Sequence, residues 1–285
     1  MLNLAVIGDP IAHSLSPAVH SSALDALEVA YTYEKVQVKK GELEQFLAYA
    51  KEKNITGFNL TMPHKVDILP YLYEMDEVAQ RFQSVNTVKV VDGKFYGYNT
   101  DAGGYTEALK GAGYGFKDSR VVILGAGGVV RTLALEAAWQ GAKSIRILNR
   151  TVSKAEEICA MVKAQVQVAD ITAEVMTTDA IAVACEACDI LINGTPLGMH
   201  GVDSDFADFS FLDHLPKTAL VSDLIYNPDT TNLLAEAQKR GFVTLNGLGM
   251  LIYQALIADQ IYLGEEFAMK PIYEIVSKKV KDTLK

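Results

Sequence analysis

Arg120-Val121-Val122-Ile123-Leu124-Gly125-Ala126-Gly127-Gly128-Val129-Val130-Arg131 is the stretch on which the fold of this chain turns. Its apolar first part reads as a buried strand, its glycines as a turn, and its last residues as the opening of a helix. In that arrangement Gly125 permits the tight turn and Gly127 lets the backbone approach a pyrophosphate. The helix behind them offers N–H groups without intrahelical partners and the positive end of its dipole. Val130 stands where such fingerprints usually carry a third small residue, so the strand–turn–helix context bears much of the weight. The expected cofactor contacts here are Gly125, Ala126, Gly127, Gly128 and Val129.

The next apolar run, residues 144–148, ends at Asn149-Arg150-Thr151. Sites specific for NAD place an acid at this strand end to bind the ribose hydroxyls. Here no acid stands there, and Arg150 can pair with a 2′-phosphate that an acid would repel. Thr151 and Ser153 add hydroxyl donors, and Lys154 a second positive charge. The expected cofactor is therefore NADP, with Asn149, Arg150, Thr151 and Lys154 around its phosphate. A further run over 189–192 leads into Asn193-Gly194-Thr195-Pro196-Leu197-Gly198-Met199, which places Thr195 at the carboxyl edge of a parallel sheet.

Outward from this core the chain alternates. Before residue 103, β-rich runs (4–7, 31–38, 57–60, 87–91) alternate with amphipathic stretches (17–27, 43–53, 66–73). From Arg120 a second series runs 121–124, 130–140, 144–148, and on through 189–192 and 219–223. Alternation of this kind predicts parallel sheets covered by helices. Residues 103–115 read as a helix ending in a glycine-rich joint, and helices are expected over 249–263 and 271–284. The reading is an α/β chain of two domains. Residues 1–102 plus 248–285 form an α/β substrate domain with a mainly parallel sheet, and 103–247 a Rossmann-like nucleotide domain.

The chain has 285 residues, 49% of them hydrophobic, and a net charge of −9. That is material enough for two cores, and the acidic balance argues against nucleic acid or an anionic membrane as partner. No apolar run approaches the ~18 residues of a membrane span. The first residues lack a basic leader and lead into a Gly-Asp-Pro turn, so a cytoplasmic protein acting on small molecules is expected. Monomer and homodimer both stay open. Three cysteines occur, and the Cys185/Cys188 pair, with no second pair at ligand spacing, reads as core packing and not as a redox or metal site.

Four polar clusters follow apolar strands in the first hundred residues: His13-Ser14-Leu15-Ser16-Pro17, Asn59-Leu60-Thr61-Met62-Pro63-His64-Lys65, Val85-Asn86-Thr87 and Tyr98-Asn99-Thr100-Asp101. Singly, each could cap a helix. Together, with one Lys and one Asp, they suit a pocket for a polyhydroxylated ligand. Along nearly its whole length the chain resembles shikimate dehydrogenases. These clusters carry the resemblance, extended by Gly8-Asp9-Pro10-Ile11-Ala12, the Gly125 turn, Asn149-Arg150-Thr151, the Thr195 loop and Gly247-Leu248-Gly249-Met250-Leu251-Ile252-Tyr253-Gln254.

The resemblance implies NADPH-dependent, reversible reduction of 3-dehydroshikimate to shikimate, with the active site in a cleft between the domains. It implies that Ser14 and Ser16 hold the substrate carboxylate and that Thr61, Asn86 and Gln254 bind ring hydroxyls. Tyr226 reaches in from the nucleotide domain, Leu224 and Gly247 lie near the nicotinamide, and Glu77 matches an acidic position near the cofactor. Lys65 and Asp101 are the expected acid–base pair. Hydride addition to a ketone builds charge on oxygen that a positioned ammonium can protonate and stabilise. Two departures stand out: Gln83-Ser84 where the family usually has Gly-Ala, and Val129-Val130 in place of two alanines. Two alternatives stand beside this reading. One is a quinate/shikimate dehydrogenase that uses NAD, and the other a ligand sensor on the same scaffold without turnover.

Overall fold

Leu4, Ala5, Val6 and Ile7 are buried in succession, so the strand they form must be covered on both faces. In the computed structural model, which describes residues 1–167 and 170–283, that strand is β1 (Leu2–Gly8) of a six-stranded sheet. It belongs to a first compact unit, Met1–Gly104 with Leu251–Lys285. The unit continues with α1 (Ser16–Ala26), β2 (Tyr31–Gln37), α2 (Leu43–Glu52), β3 (Gly57–Leu60) and α3 (His64–Asp67). Then come β4 (Glu74–Met75), α4 (Glu77–Phe82), β5 (Thr87–Val91), β6 (Lys94–Tyr98) and the start of α5 (Asp101–Gly111).

The strand order is β2-β1-β3-β5-β6-β4. β1 runs parallel to β2 and β3, and β4 parallel to β6, while β5 is antiparallel to both its neighbours. The reversal is made by Asp92-Gly93, whose φ values of 50° and 71° suit the two-residue turn of a hairpin. One face of the sheet packs Phe58 edge-on against Phe46 and Phe95, with ring centroids 5.1 and 6.0 Å apart.

The helix expected over 66–73 is a correction. α3 stops at Asp67, Leu69–Tyr71 makes a single 3-10 turn, and Leu72 is extended. Pro70 has no N–H to continue the helical ladder and disfavours helical geometry in the residue before it.

The second unit, Tyr105–Met250, begins within α5. It contains β7 (Arg120–Leu124), α6 (Gly128–Trp139), β8 (Ser144–Asn149), α7 (Val152–Gln165), β9 (Ile171–Val175) and α8 (Thr178–Cys185). β10 (Ile190–Asn193), β11 (Leu220–Asp223), α9 (Asn232–Lys239) and β12 (Val243–Leu245) follow. Every strand pair is parallel, in the order β12-β11-β10-β7-β8-β9. Read from β9, this is third, second, first, fourth, fifth, sixth, the doubly wound order whose switch point falls between β7 and β10. α6 turns Val130, Leu133, Ala134 and Ala137 inward at helical spacing, and Trp139 stays exposed. Cys185 and Cys188 are buried beside Leu191 and Phe211 without a disulfide, and burial pushes the Cys185 thiol up to about 12.

α10 (Leu248–Leu263) starts in the second unit and continues into the first, where α11 (Met269–Thr283) packs on α1 and buries Ile272, Val276 and Val280. Residue 284 of the helix expected over 271–284 lies outside the described residues. Among the described residues no helix is long and apolar enough to cross a membrane.

Candidate active site

Parallel pairing of β1 with β3 sets Ile7 beside Leu60, so the loops that follow these strands leave from one sheet edge. They carry Ser14 on one side and Thr61 on the other, and lead into α1, which opens at Ser16, and α3, which holds Lys65. The Asp9 N–H donates to the Met62 carbonyl across them (2.9 Å). Because β5 runs the opposite way, its first end comes to the same edge: Leu60 N–H donates to the carbonyl of Asn86 (2.9 Å). β6 reverses again, and Tyr98, opposite Thr87, delivers Asn99, Thr100 and Asp101 there. All four polar clusters of the first unit thus meet at one edge.

Lys65 is held through its backbone. Its neighbour His64 is fully buried, with Nε2 2.7 Å from the Val38 carbonyl, and the Lys65 carbonyl accepts from Val85 N–H (2.8 Å). The side chain then reaches Asp101, the first residue of α5, with Nζ 2.6 Å from Oδ2. The two side chains are 29% and 15% exposed, which shields the pair from much of the solvent and leaves it reachable.

Asn86 Nδ2 donates to the other Asp101 oxygen, Oδ1, at 2.9 Å and to Thr100 Oγ1 at 2.9 Å, with Gln254 Oε1 at 3.4 Å. Asp101 N–H donates to Asn99 Oδ1 (3.1 Å), and Asn99 Nδ2 donates to the Ser84 carbonyl (2.9 Å). Four of the expected residues, Lys65, Asp101, Asn86 and Gln254, therefore form one hydrogen-bonded group. Ser14 and Thr61 stand on the neighbouring loops, and Ser16 opens α1. Ser14 Oγ accepts from Ser16 N–H (3.2 Å), which leaves the Ser14 hydroxyl proton for another acceptor. Glu77 lies in the first turn of α4, behind the N-cap Asp76.

The departure at Gln83 has a visible consequence. Gln83 ends α4 at φ 48°, a left-handed conformation that costs a non-glycine residue about 1 kcal/mol. Its side-chain amide donates to the Gln80 carbonyl (2.7 Å) and offsets part of that.

In the second unit the carboxyl ends of β7, β8, β10, β11 and β12 share an edge. Gly125 takes φ 103°, and a side chain on it would come 2.9 Å from the Gly194 carbonyl oxygen, so the turn after β7 requires glycine. Around Gly127 and Gly128 a Cβ would meet open space, and no side chain caps the first N–H groups of α6. Those groups, with Ala126 and the half-exposed Val129 beside them, suit a pyrophosphate. Val130 is buried against Gly194, so the bulk that replaces alanine packs onto the loop after β10.

Asn149 Nδ2 donates to the Thr151 carbonyl (2.8 Å) and shapes the end of β8, where Arg150 and Lys154 project into solvent. Asn193 Oδ1 accepts from the N–H and hydroxyl of Thr195 at 3.0 and 2.7 Å. Its Nδ2 donates to Asp223 (3.1 Å), which also accepts from Ile225 N–H and the Thr231 hydroxyl. Burial raises the Asp223 carboxyl above the usual carboxylate range despite these donors. This network braces the loops of Thr195, Leu224 and Tyr226. Gly247 donates to the Ile225 carbonyl (3.0 Å), and any side chain on it would collide with the Leu224 carbonyl.

Asn59 and Thr87, which belong to two of the polar clusters but have no expected role, are buried beside this group. The signal was there: polar side chains at the ends of fully buried strands need partners.

The chain matches the family model for the shikimate dehydrogenase substrate binding domain over residues 6–88 and that for shikimate / quinate 5-dehydrogenase over residues 107–205. It is 40% identical to the shikimate dehydrogenase (NADP(+)) of Alkaliphilus oremlandii over 260 residues, 90% of each chain. A shikimate dehydrogenase solved in complex with NADP+ is similar at a TM-score of 0.87 and 37% identity, covering 100% of this chain and 96% of the other. The Listeria monocytogenes shikimate 5-dehydrogenase, solved with shikimate and NAD, is similar at a TM-score of 0.87 and 31% identity, covering 97% and 96%.

Proposed function

The chain belongs to the shikimate dehydrogenase family, and we propose that it catalyses the reversible, NADPH-dependent reduction of 3-dehydroshikimate to shikimate in the aromatic amino-acid pathway. It does so in the cytoplasm, as a monomer or homodimer. The observation that carries the chemistry is the 2.6 Å contact between Lys65 and Asp101, tied by Asn86 to the same carboxylate. Bound NADPH supplies the hydride that adds to the carbonyl carbon. As charge builds on the oxygen, the Lys65 ammonium donates its proton there, and in the other direction the neutral amine takes the hydroxyl proton. Asp101 aims the ammonium and balances its charge.

On this reading Ser14 and Ser16 hold the substrate carboxylate, and Thr61, Asn86, Gln254 and Tyr226 bind the ring. Gly125, Ala126, Gly127, Gly128 and Val129 cradle the pyrophosphate. Asn149, Arg150, Thr151 and Lys154 hold the 2′-phosphate, and Thr195, Leu224 and Gly247 flank the nicotinamide. The first unit is the substrate domain, approximately 1–102 plus 248–285, and the second, approximately 103–247, the NADP domain.

The test is kcat/KM for shikimate and for quinate, each with NADP+ and with NAD+. Shikimate with NADP+ is expected to exceed every other combination. Comparable efficiency on quinate with NAD+ would overturn the assignment in favour of the broader enzyme.

A further inference from the structure

The polarity of the Asn86 amide is set by a group that cannot be turned round. The backbone N–H of Thr100 donates to Asn86 Oδ1 at 2.9 Å, so the carbonyl end of the amide faces Thr100 and the NH2 end faces Asp101 Oδ1. Turned over, the amide would point its oxygen at a carboxylate oxygen and lose the bond that holds Asp101.

A second line of donors reaches the same oxygen from deeper in the sheet. Tyr33 OH lies 2.7 Å from Asn59 Oδ1, Asn59 Nδ2 lies 3.1 Å from Thr87 Oγ1, and Thr87 Oγ1 lies 3.1 Å from Asn86 Oδ1. Burial holds the Tyr33 phenol well above its ordinary range, so it keeps its proton, which it donates to Asn59 Oδ1. The Asn59 NH2 then faces Thr87, whose oxygen accepts it, and the one hydroxyl proton of Thr87 is left for Asn86. The three residues come from β2, β3 and β5, of which β2 and β3 flank β1 and β5 pairs with β3, and Asn59, Thr87 and Asn86 are all nine-tenths or more buried.

We propose that Thr87, backed by Asn59 and Tyr33, is a positioning residue that locks the Asn86 amide and through it the Asp101 carboxylate beside Lys65. The inference rests on Lys65 and Asp101 being the acid–base pair. Thr87 touches neither of them. It acts by keeping one carboxylate oxygen bonded to Asn86, so that the other stays on the ammonium.

The experiment compares Thr87→Val, which exchanges the hydroxyl for a methyl of the same shape, with Thr87→Ser, which keeps it. Full-length enzyme is assayed with shikimate and NADP+. Thr87→Val should lower kcat roughly three- to ten-fold, the effect of one lost neutral hydrogen bond. KM for NADP+ should stay within about two-fold, and Thr87→Ser should restore kcat to within about two-fold of the parent. An unchanged kcat in Thr87→Val, a matching change in both parameters, or no rescue by Thr87→Ser overturns the proposal. If Thr87→Val does not fold, Tyr33→Phe tests the same relay from its far end, with kcat again expected to fall while KM for NADP+ holds. Lys65→Ala in the same assay separates the two levels. Undiminished turnover there defeats the acid–base reading itself, whereas loss of turnover there beside an unaffected Thr87→Val defeats only the relay.

Discussion

The two units put their buried polar groups to different use. In the first, Asn59, Asn86, Thr87, Asn99 and Thr100 are buried and bonded to one another or to the residues around Asp101. In the second, Asn193, Asp223 and Thr231 brace loops, while the groups presented to solvent are backbone N–H groups after Gly125 and the exposed Arg150 and Lys154. The contrast follows from the tasks proposed for them. A proton donor works only within a narrow distance and angle, so its side chain has to be held by other side chains. An anion can be gripped by a helix start and flexible cations, provided that the backbone turns sharply enough. One unit fixes a side chain, the other fixes a turn.

The contrast can be broken in four places. Lys65→Ala should remove the held side chain outright and lower kcat by about 10²–10⁴, with shikimate binding retained in calorimetry. A turnover unaffected by this change would mean that the first unit positions nothing that reacts. Arg150→Ala should raise KM for NADPH roughly ten-fold or more, since a hydrogen bond to a charged group contributes about 1.5–3 kcal/mol, and leave KM for NADH nearly unaltered. An equal loss for both cofactors would show the exposed cation acting through the turn and not through the phosphate.

The first unit also holds a buried polar pair, whose His20 ring stacks on that of Tyr33 with centroids 4.8 Å apart. His20 Nδ1 lies 2.6 Å from Asp259 Oδ1, both fully buried, with His20 Nε2, Asp259 Oδ2 and the Tyr262 hydroxyl lacking hydrogen-bond partners among the described residues. Burial pushes the Asp259 carboxyl up in spite of His20. Asp259→Ala should destabilise the protein by about 1–3 kcal/mol, because it leaves the His20 nitrogen without a partner. Replacing both residues by leucine should recover much of that in urea denaturation, since apolar substitutes for a buried pair are often neutral or stabilising. A double leucine variant no more stable than Asp259→Ala would show that the pair contributes more than apolar packing in its place.

The smallest effect belongs to the second unit. Arg120 holds Asp189 in a two-pronged contact at 2.8–2.9 Å, and its hydrogen bonds keep that carboxyl below the usual range against the opposing effect of burial. A depressed carboxylate contributes stability that is present above its unfolded value of about 3.9 and is lost as pH falls through the folded value. Arg120→Met should therefore lower the melting temperature at pH 7 and converge with the parent in acid. Both side chains are a third or more exposed, so the difference should stay below about 1 kcal/mol. A gap that widens in acid would contradict the sign.

Much of this was legible in the sequence, because parallel strands covered on both faces must be apolar throughout. β3 falls on the expected 57–60 and the expected 4–7 lies within β1, the antiparallel β5 falls on the expected 87–91, and the Gly125 turn sits at the switch point that its glycines require. Pro70 was equally legible, and a helix was nevertheless expected across it. Lys65, Asp101, Asn86 and Gln254 could be named as candidates from their clusters. Their meeting could not be read there. It depends on β5 running antiparallel beside β3, which carries Asn86 to the edge where β1 and β3 end, and on β6 returning Asp101 to it. The chain's local period records which residues are buried, whereas strand pairing is chosen by the whole sheet. The path from Tyr33 through Asn59 and Thr87 to Asn86 joins three strands far apart in sequence, and only the folded register brings their polar ends within hydrogen-bonding distance.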